Sequence, residues 1–167
     1  AQADLLFQQG NFKEALVEYR AMVTNPRTSP QAIKHALQRA TNSLKRLGSE
    51  QELDILREEV ARIHAARWEV LEAVALNYIQ QSHQGYIVEG EFQRGNRRSS
   101  EGAQYADATQ RDRVRALQLM LQAMPLAKTA EPKPQGEFYL NFARVVLFTR
   151  ENPHVSWKLQ ALTALDQ

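Results

Sequence analysis

Apolar residues recur at steps of three and four along most of this 167-residue chain. Near its start, Ala15, Leu16, Tyr19, Met22 and Val23 fall on one face of a helix. Similar stripes follow in later segments, and together they predict about eight helices. An amphipathic helix buries its apolar face only against a neighbour, so this period restricts the chain to an all-α stack of packed helices.

Capping residues indicate where several of these helices begin and end. Asn11, with Glu14 three residues later, forms a capping-box pattern. Ser29 precedes Pro30, and proline suits the first helical position because its missing N–H has no intrahelical partner there. Gly48 is a natural residue to follow a helix, since glycine adopts positive φ without strain. The predicted helices are therefore separated by short turns.

The second half of the chain predicts three more helices. Thr109, with Asp112 three residues later, starts the sixth helix, and Pro125 predicts a stop or kink near its end. The polar stretch "KTAEPKPQG" reads as a connector before a seventh helix over about residues 137–150. An Asn-Pro pair at residues 152–153 opens an eighth.

A long insertion, residues 83–109, separates the fifth and sixth predicted helices. Residues 85–109 hold four of the chain's seven glycines and three arginines. Within it, "YIVEGEF" mixes β-forming residues with a glycine and predicts a short strand or hairpin. Loops of this length inside a compact domain are usually either functional or disordered. The sequence leaves both possibilities open.

The stretch "QQGNFKEALVEYRAMVTNP" resembles the second half of a tetratricopeptide repeat. Its Gly10 stands at the inter-helix turn, its small Ala15 allows close helix approach, and its Tyr19 fills the gap beside that alanine. Later helices match less well, and Arg57 stands where the repeat has an aromatic residue. The resemblance implies a right-handed stack of antiparallel helix pairs. Its structural repeat positions are Gly10, Ala15, Tyr19, Gly48, Trp68, Ala116, Met120 and Ala123.

Four segments together are similar to the N-terminal helical region of large bacterial alpha-2-macroglobulin-like proteins. They are "GYIVEGEFQRG", "YADATQRDRVRALQLMLQAMPLA", "GEFYLNFARVVL" and "SWKLQALTALDQ". The resemblance implies an accessory domain of an extracytoplasmic protein, periplasmic or secreted, in a family associated with protease trapping. Many members use a Cys–Gln thioester; this chain has no cysteine, so no catalytic residue carries over. An opening Ala1 and a helical pattern that reaches Gln167 indicate one domain, residues 1–167, of a longer protein.

The composition argues against several classes of function. Lys and Arg total 21 and Asp and Glu 19, and this near-balance disfavours a nucleic-acid partner. No apolar run approaches the roughly 18 residues of a membrane span, so we expect no membrane insertion. The four histidines lack paired metal-ligand spacing, and the sequence contains no nucleophile-elbow or phosphate-loop motif. We therefore expect no enzyme activity, no catalytic residue, no metal and no cofactor.

The function that remains is a non-catalytic module that binds a protein partner or neighbouring domains of its own chain, or acts as a spacer. The alternative is a small ligand- or anion-binding domain that uses residues 85–109. In that reading Arg94, Arg97 and Arg98 offer guanidinium groups to an acidic partner or anion. Tyr86 and Phe92 either join that contact or pack the insertion back onto the helices.

Overall fold

The computed structural model describes residues 2–95 and 102–148. This part of the chain is mostly helical, with a small antiparallel sheet. Its seven α-helices are α1 (Gln2–Gln8), α2 (Phe12–Thr24), α3 (Pro30–Arg46), α4 (Leu53–Ile63), α5 (Trp68–Gln80), α6 (Thr109–Ala127) and α7 (Pro132–Leu147). Its three strands are β1 (Gln84–Val88), β2 (Glu91–Arg94) and β3 (Gln104–Asp107), and a 3₁₀ turn (Glu50–Glu52) precedes α4.

Some ends of the early helices follow the predicted capping, but Asn11 forms no side-chain cap hydrogen bond at the start of α2. Ser29 Oγ accepts a hydrogen bond from the backbone N–H of Ala32 at 3.3 Å and so caps α3, while Pro30 occupies its first position. Gly10 and Gly48 follow α1 and α3 with φ of +83° and +65°. Residues with a Cβ are strained in that region, so these turns favour glycine.

The later helices differ from the sequence prediction at their ends. Helix α6 continues two residues past Pro125, although the proline lacks the N–H that would bond to the backbone carbonyl of Leu121. Helix α7 begins at Pro132, inside the stretch predicted as a connector. Pro132 and Pro134 fall in its first turn, where the N–H that each lacks has no intrahelical partner. The predicted eighth helix lies outside the described residues.

The insertion contains the sheet, whose strand order is β2-β1-β3. Strands β1 and β2 form a hairpin in which Val88 pairs with Glu91 across the two-residue turn Glu89-Gly90. Both turn residues have positive φ, 52° and 86°, as type I′ hairpin turns require. Strand β3 pairs with the other side of β1, in a register that sets Tyr86 opposite Tyr105. The described chain is thus mostly helical, as predicted, and the insertion contains a hairpin where the sequence predicted a short strand or hairpin, whereas the third strand, β3, was not predicted.

The helices share one apolar core, and several of them contact a helix beyond the next in sequence. Helix α2 packs on α3 and α4, α5 packs on α3, α4, α6 and α7, and α6 packs on α7. Ala15, Tyr19, Ala116, Met120 and Ala123 are all fully buried in this core. A small second cluster joins the sheet to the start of α6. In the described part of the chain, none of the helices has the length and apolarity needed to cross a membrane.

Candidate functional site

Arg94, the last residue of β2, is a buried cation with its side chain turned into the protein. It is only 4% exposed. Its guanidinium donates two hydrogen bonds to the carboxylate of Asp112 in α6, from Nη2 to Oδ1 at 2.8 Å and from Nη1 to Oδ2 at 2.9 Å. It also donates to Asp54 of α4, with Nε to Oδ1 at 3.1 Å, and to the carbonyl of Ser82. One side chain of the insertion thus ties two helices together.

Further charges complete what we call the ion cluster: Asp54, Arg57, Arg94, Arg111 and Asp112. Asp54 accepts hydrogen bonds from Arg57 Nη1 at 2.9 Å and from Arg111. Arg111 also reaches Asp112 Oδ1 at 3.1 Å. Burial alone would raise the pKa of Asp54, but the neighbouring arginines outweigh it and hold that pKa below its usual value. Asp54 is therefore ionised at neutral pH.

His83, just before β1, also contacts Asp112. Its Nδ1 lies 2.7 Å from Asp112 Oδ2, and both side chains are buried. Burial would raise the pKa of Asp112, but the hydrogen bond from His83 and the charge of Arg94 hold it well below its usual range. Asp112 is thus held from two sides by residues of the insertion.

Arg57 connects the ion cluster to the middle of the helical core. It is fully buried; its Nε donates to Asn77 Oδ1 at 2.8 Å, and its Nη2 to the backbone carbonyl of Asn77 at 2.9 Å. Asn77 Nδ2 in turn donates to Thr41 Oγ1 at 3.2 Å. This chain of polar contacts joins α4, α5 and α3 where the resemblance predicted an aromatic filler.

Of the residues predicted to contact an anion, Arg94 and Phe92 lie together in the structure, with the Arg94 guanidinium carbon 5.5 Å from the Phe92 ring centroid. The guanidinium of Arg94 donates hydrogen bonds to Asp54, Asp112 and the carbonyl of Ser82, so it is not open to a surface ligand. Phe92 lies under Arg111, whose guanidinium carbon is 4.4 Å from the ring centroid. Tyr86 packs edge-on against Tyr105, with ring centroids 6.1 Å apart. Arg97 and Arg98 lie outside the described residues.

Sequence analysis missed the carboxylate partners of Arg94, although a signal was present. Asp112 stands four residues before Ala116 and eight before Met120, so it continues the buried stripe of α6. Arg57 likewise lies between Leu56 and Val60 on the buried face of α4. A charge on the inner face of a helix indicates a buried partner of opposite sign, because an unpaired charge is too costly there.

A second feature, the polar groove, runs between α3, α5 and α7. It consists of two adjoining cavities of about 720 and 590 Å³, which share Gln31, Lys34 and Asn141. The wider cavity is also lined by Trp68 and by residues of the α6–α7 turn. The narrower cavity has a mainly amide and basic lining. No residue of the insertion lines either cavity.

Glu72 of α5 lies at the floor of the wider cavity. It is 9% exposed, and its Oε1 accepts a hydrogen bond from Asn141 Nδ2 at 2.9 Å. Burial raises the pKa of Glu72, and Glu69 and Glu137 raise it further, against opposing effects of Asn141 and Lys34. The groove therefore contains a carboxylate whose charge is incompletely compensated.

No protein-family model matches this chain, and neither curated proteins nor solved structures give a match. The resemblances to tetratricopeptide repeats and to alpha-2-macroglobulin-like proteins therefore stay predictions. Within residues 2–95 and 102–148, the structure has no group of His, Cys, Asp or Glu side chains arranged to hold a metal ion.

Proposed function

We propose that this chain is a non-catalytic protein-interaction module that holds an extended segment of a partner, or of a neighbouring domain, in the polar groove. The observation that carries the proposal is the pair of adjoining cavities along α3, α5 and α7. Two cavities in line suit a chain segment, because consecutive side chains of an extended segment can enter them in turn.

The lining chemistry supports a peptide as the occupant. Gln31, Gln38, Gln80 and Asn141 present amide groups along the groove. An amide side chain can both donate to a peptide carbonyl and accept from a peptide N–H, whatever the sequence of that peptide. Main-chain contacts of this kind supply affinity, while the cavities supply selectivity.

The scaffold in this proposal is a right-handed, repeat-like stack of antiparallel helix pairs, and the alternation of the helices that line the groove supports it. Helices α3, α5 and α7, every second one, line the groove, and α3 and α7 both pack on α5. A stack with this alternation presents one continuous surface built from the first helix of each pair. In the same proposal the module belongs to a larger alpha-2-macroglobulin-like protein of the cell envelope, as the resemblance implies.

A selection experiment with a blocked groove tests the proposal. Random linear peptides displayed on phage are selected against the immobilised chain, and the enriched peptides are synthesised and titrated. Gln31 lines both cavities and is exposed, so Gln31→Trp fills the groove without disturbing the core. We expect it to weaken binding by about tenfold or more, equivalent to about 1.4 kcal/mol.

The matched control is Gln8→Trp, which places the same side chain at an exposed helical position outside both cavities. It should bind as the wild type does. A selection that enriches nothing, or peptides that bind the Gln31→Trp variant undiminished, would leave the spacer role as the better account.

A further inference from the structure

We propose that the wider cavity of the polar groove takes a cationic side chain, lysine or arginine, from the bound segment, with Glu72 as its carboxylate partner and Trp68 as an aromatic wall. This inference rests on the proposed function, since it specifies which partner segments the groove accepts. Four observations on the groove lead to it.

Glu72 is a buried acid that lacks a counter-ion. It is nine-tenths buried, yet it forms no ion pair with any residue that the structure describes. Its one hydrogen bond, from Asn141, engages Oε1 and leaves Oε2 without a partner in the described chain. Desolvation of such a carboxylate is costly, and a cation that entered the cavity would offset part of that cost.

The other charged groups around Glu72 are mostly negative as well. Glu69, Glu131 and Glu137 line the wider cavity with Glu72, against a single ammonium group from Lys34. The whole chain carries a net charge of +2, so this cavity reverses the overall balance. Carboxylates gathered around a concave site raise the local concentration of a cationic partner and speed its association.

Trp68 supplies an apolar surface suited to the same ligand. It lines the wider cavity and packs edge-on against Phe138, with ring centroids 5.7 Å apart, so its indole is held in place. Tryptophan is the best aromatic partner for an ammonium or guanidinium group. The described carboxylates form no metal-holding group, which favours an organic cation over a metal ion.

The charge of the narrower cavity favours placing the cation in the wider one. Its lining contains Lys34, His35 and Arg144 but no carboxylate. A basic side chain of the bound segment is therefore attracted to the wider cavity and repelled from the narrower one. This difference also defines the direction in which the segment lies along α3, α5 and α7.

Titration with matched peptides tests this inference. Short capped Gly/Ser peptides carrying one central arginine, lysine, citrulline or glutamate are added to the ¹⁵N-labelled chain. The reporter is the Trp68 indole N–H resonance, assigned with Trp68→Phe. Citrulline has the shape of arginine without its charge. We expect the arginine and lysine peptides to shift this resonance with at least about tenfold higher affinity than citrulline, about 1.4 kcal/mol.

The variant Glu72→Gln should abolish that preference, because it removes the charge and keeps an oxygen for Asn141. Glu18→Gln, an exposed change on α2 outside both cavities, should leave the preference intact. Equal affinity for arginine and citrulline, or an unchanged preference in Glu72→Gln, would overturn the inference. Phage-selected peptides that need an open groove but lack basic residues would overturn it too, and would leave the proposed function standing.

Discussion

Arg94 shows how much the role of a single residue depends on burial. In the sequence it stands two residues after Phe92 in a glycine-rich stretch, where an arginine is normally solvated. In the structure its guanidinium is buried and paired with Asp54 and Asp112. Removing one partner of a buried ion pair costs about 3–5 kcal/mol, because the remaining charges stay in a poorly solvating environment.

We therefore expect Arg94→Ala to lower the free energy of unfolding by about 3–5 kcal/mol. Urea titration followed by far-ultraviolet circular dichroism measures this loss. Arg27→Ala is the control, since Arg27 is exposed and its side chain forms no ion pair in the described chain. A loss below about 1 kcal/mol, the range of exposed pairs, would show that the ion cluster does not hold the insertion in place.

The ion cluster also predicts how stability responds to acid. The pKa values of Asp54 and Asp112 are lowered in the folded chain, so the ionised aspartates stabilise it above the unfolded pKa of about 3.9. This stabilisation is lost as pH falls from about 4 towards the folded pKa values. Asp112→Asn should be about 3 kcal/mol less stable than the wild type at neutral pH.

That difference should narrow steadily as the pH is lowered, because the wild-type Asp112 itself becomes neutral. Urea titrations at a series of pH values measure it, with the exposed Glu18→Gln as the reference variant. If the stability difference between the wild type and Asp112→Asn stays constant from neutral pH to pH values well below 4, Asp112 contributes through its shape rather than its charge.

Glu72 should affect the pH dependence of stability in the opposite direction to the two aspartates. Its pKa is raised in the folded chain, so folding becomes less favourable as pH rises through the interval between the unfolded and folded pKa values. Glu72→Gln keeps the hydrogen bond from Asn141 and removes the charge. We expect this variant to be more stable than the wild type at neutral pH and equal to it in acid, as measured by urea titration. A variant less stable at neutral pH would show that the charge is already compensated.

At the scale of elements, the insertion is a three-stranded sheet whose hairpin needs glycine at one interior position. Gly85 pairs with Arg94 on one side of β1 and with Ala106 on the other. A Cβ at Gly85 would lie 2.4 Å from the carbonyl oxygen of Gln93 and 2.6 Å from the ring of Phe92. The close approach of β1 and β2 therefore depends on the absence of a side chain there.

We expect Gly85→Ala to destabilise the chain by about 1–3 kcal/mol, because neither the Gln93 backbone nor the Phe92 ring can move freely. Gly136→Ala is a control with the opposite sign. Gly136 lies within α7 with nothing within 4 Å of the added Cβ, so alanine should stabilise that helix by up to about 1 kcal/mol. Thermal melts of both variants separate the two effects. Equal melting temperatures for the two would contradict the strand geometry.

For the molecule as a whole, the insertion is tied to the helices through the ion cluster and His83. Arg94 and His83 from the insertion reach Asp112 of α6, and Arg94 also reaches Asp54 of α4. A peripheral loop could be removed at little cost, since loop length by itself affects stability weakly. Removal of this insertion instead takes Arg94 away from Asp54 and from the buried Asp112.

Replacing residues 86–107 with a Gly/Ser linker should therefore lower the melting temperature by on the order of 10 °C. Circular dichroism at 222 nm measures it. The same replacement is also made in the Asp112→Asn variant for comparison. Because coupled changes are not additive, the replacement should lower the melting temperature less in that variant than in the wild type. A linker variant with the same melting temperature as the wild type would show that the insertion is a tolerated loop.

Much of the helical scaffold was predictable from the sequence, for local reasons. The step of three and four at Ala15, Leu16 and Tyr19 is a property of one segment, and so is the cap that Ser29 provides for α3. The start of α7 at Pro132 was missed because two prolines in a polar stretch suggest a connector. They suit a helix once they fall in its first turn.

The sequence by itself determined the helices, since period, capping residues and turn glycines act within a few residues of the chain. Tertiary structure alone decided that β3 joins β1, that Arg94 meets Asp54 and Asp112, and that α3, α5 and α7 enclose the polar groove. Each of these depends on groups far apart in sequence. Their energies come from desolvation and from charge pairing, and both are defined only when the chain has closed around them.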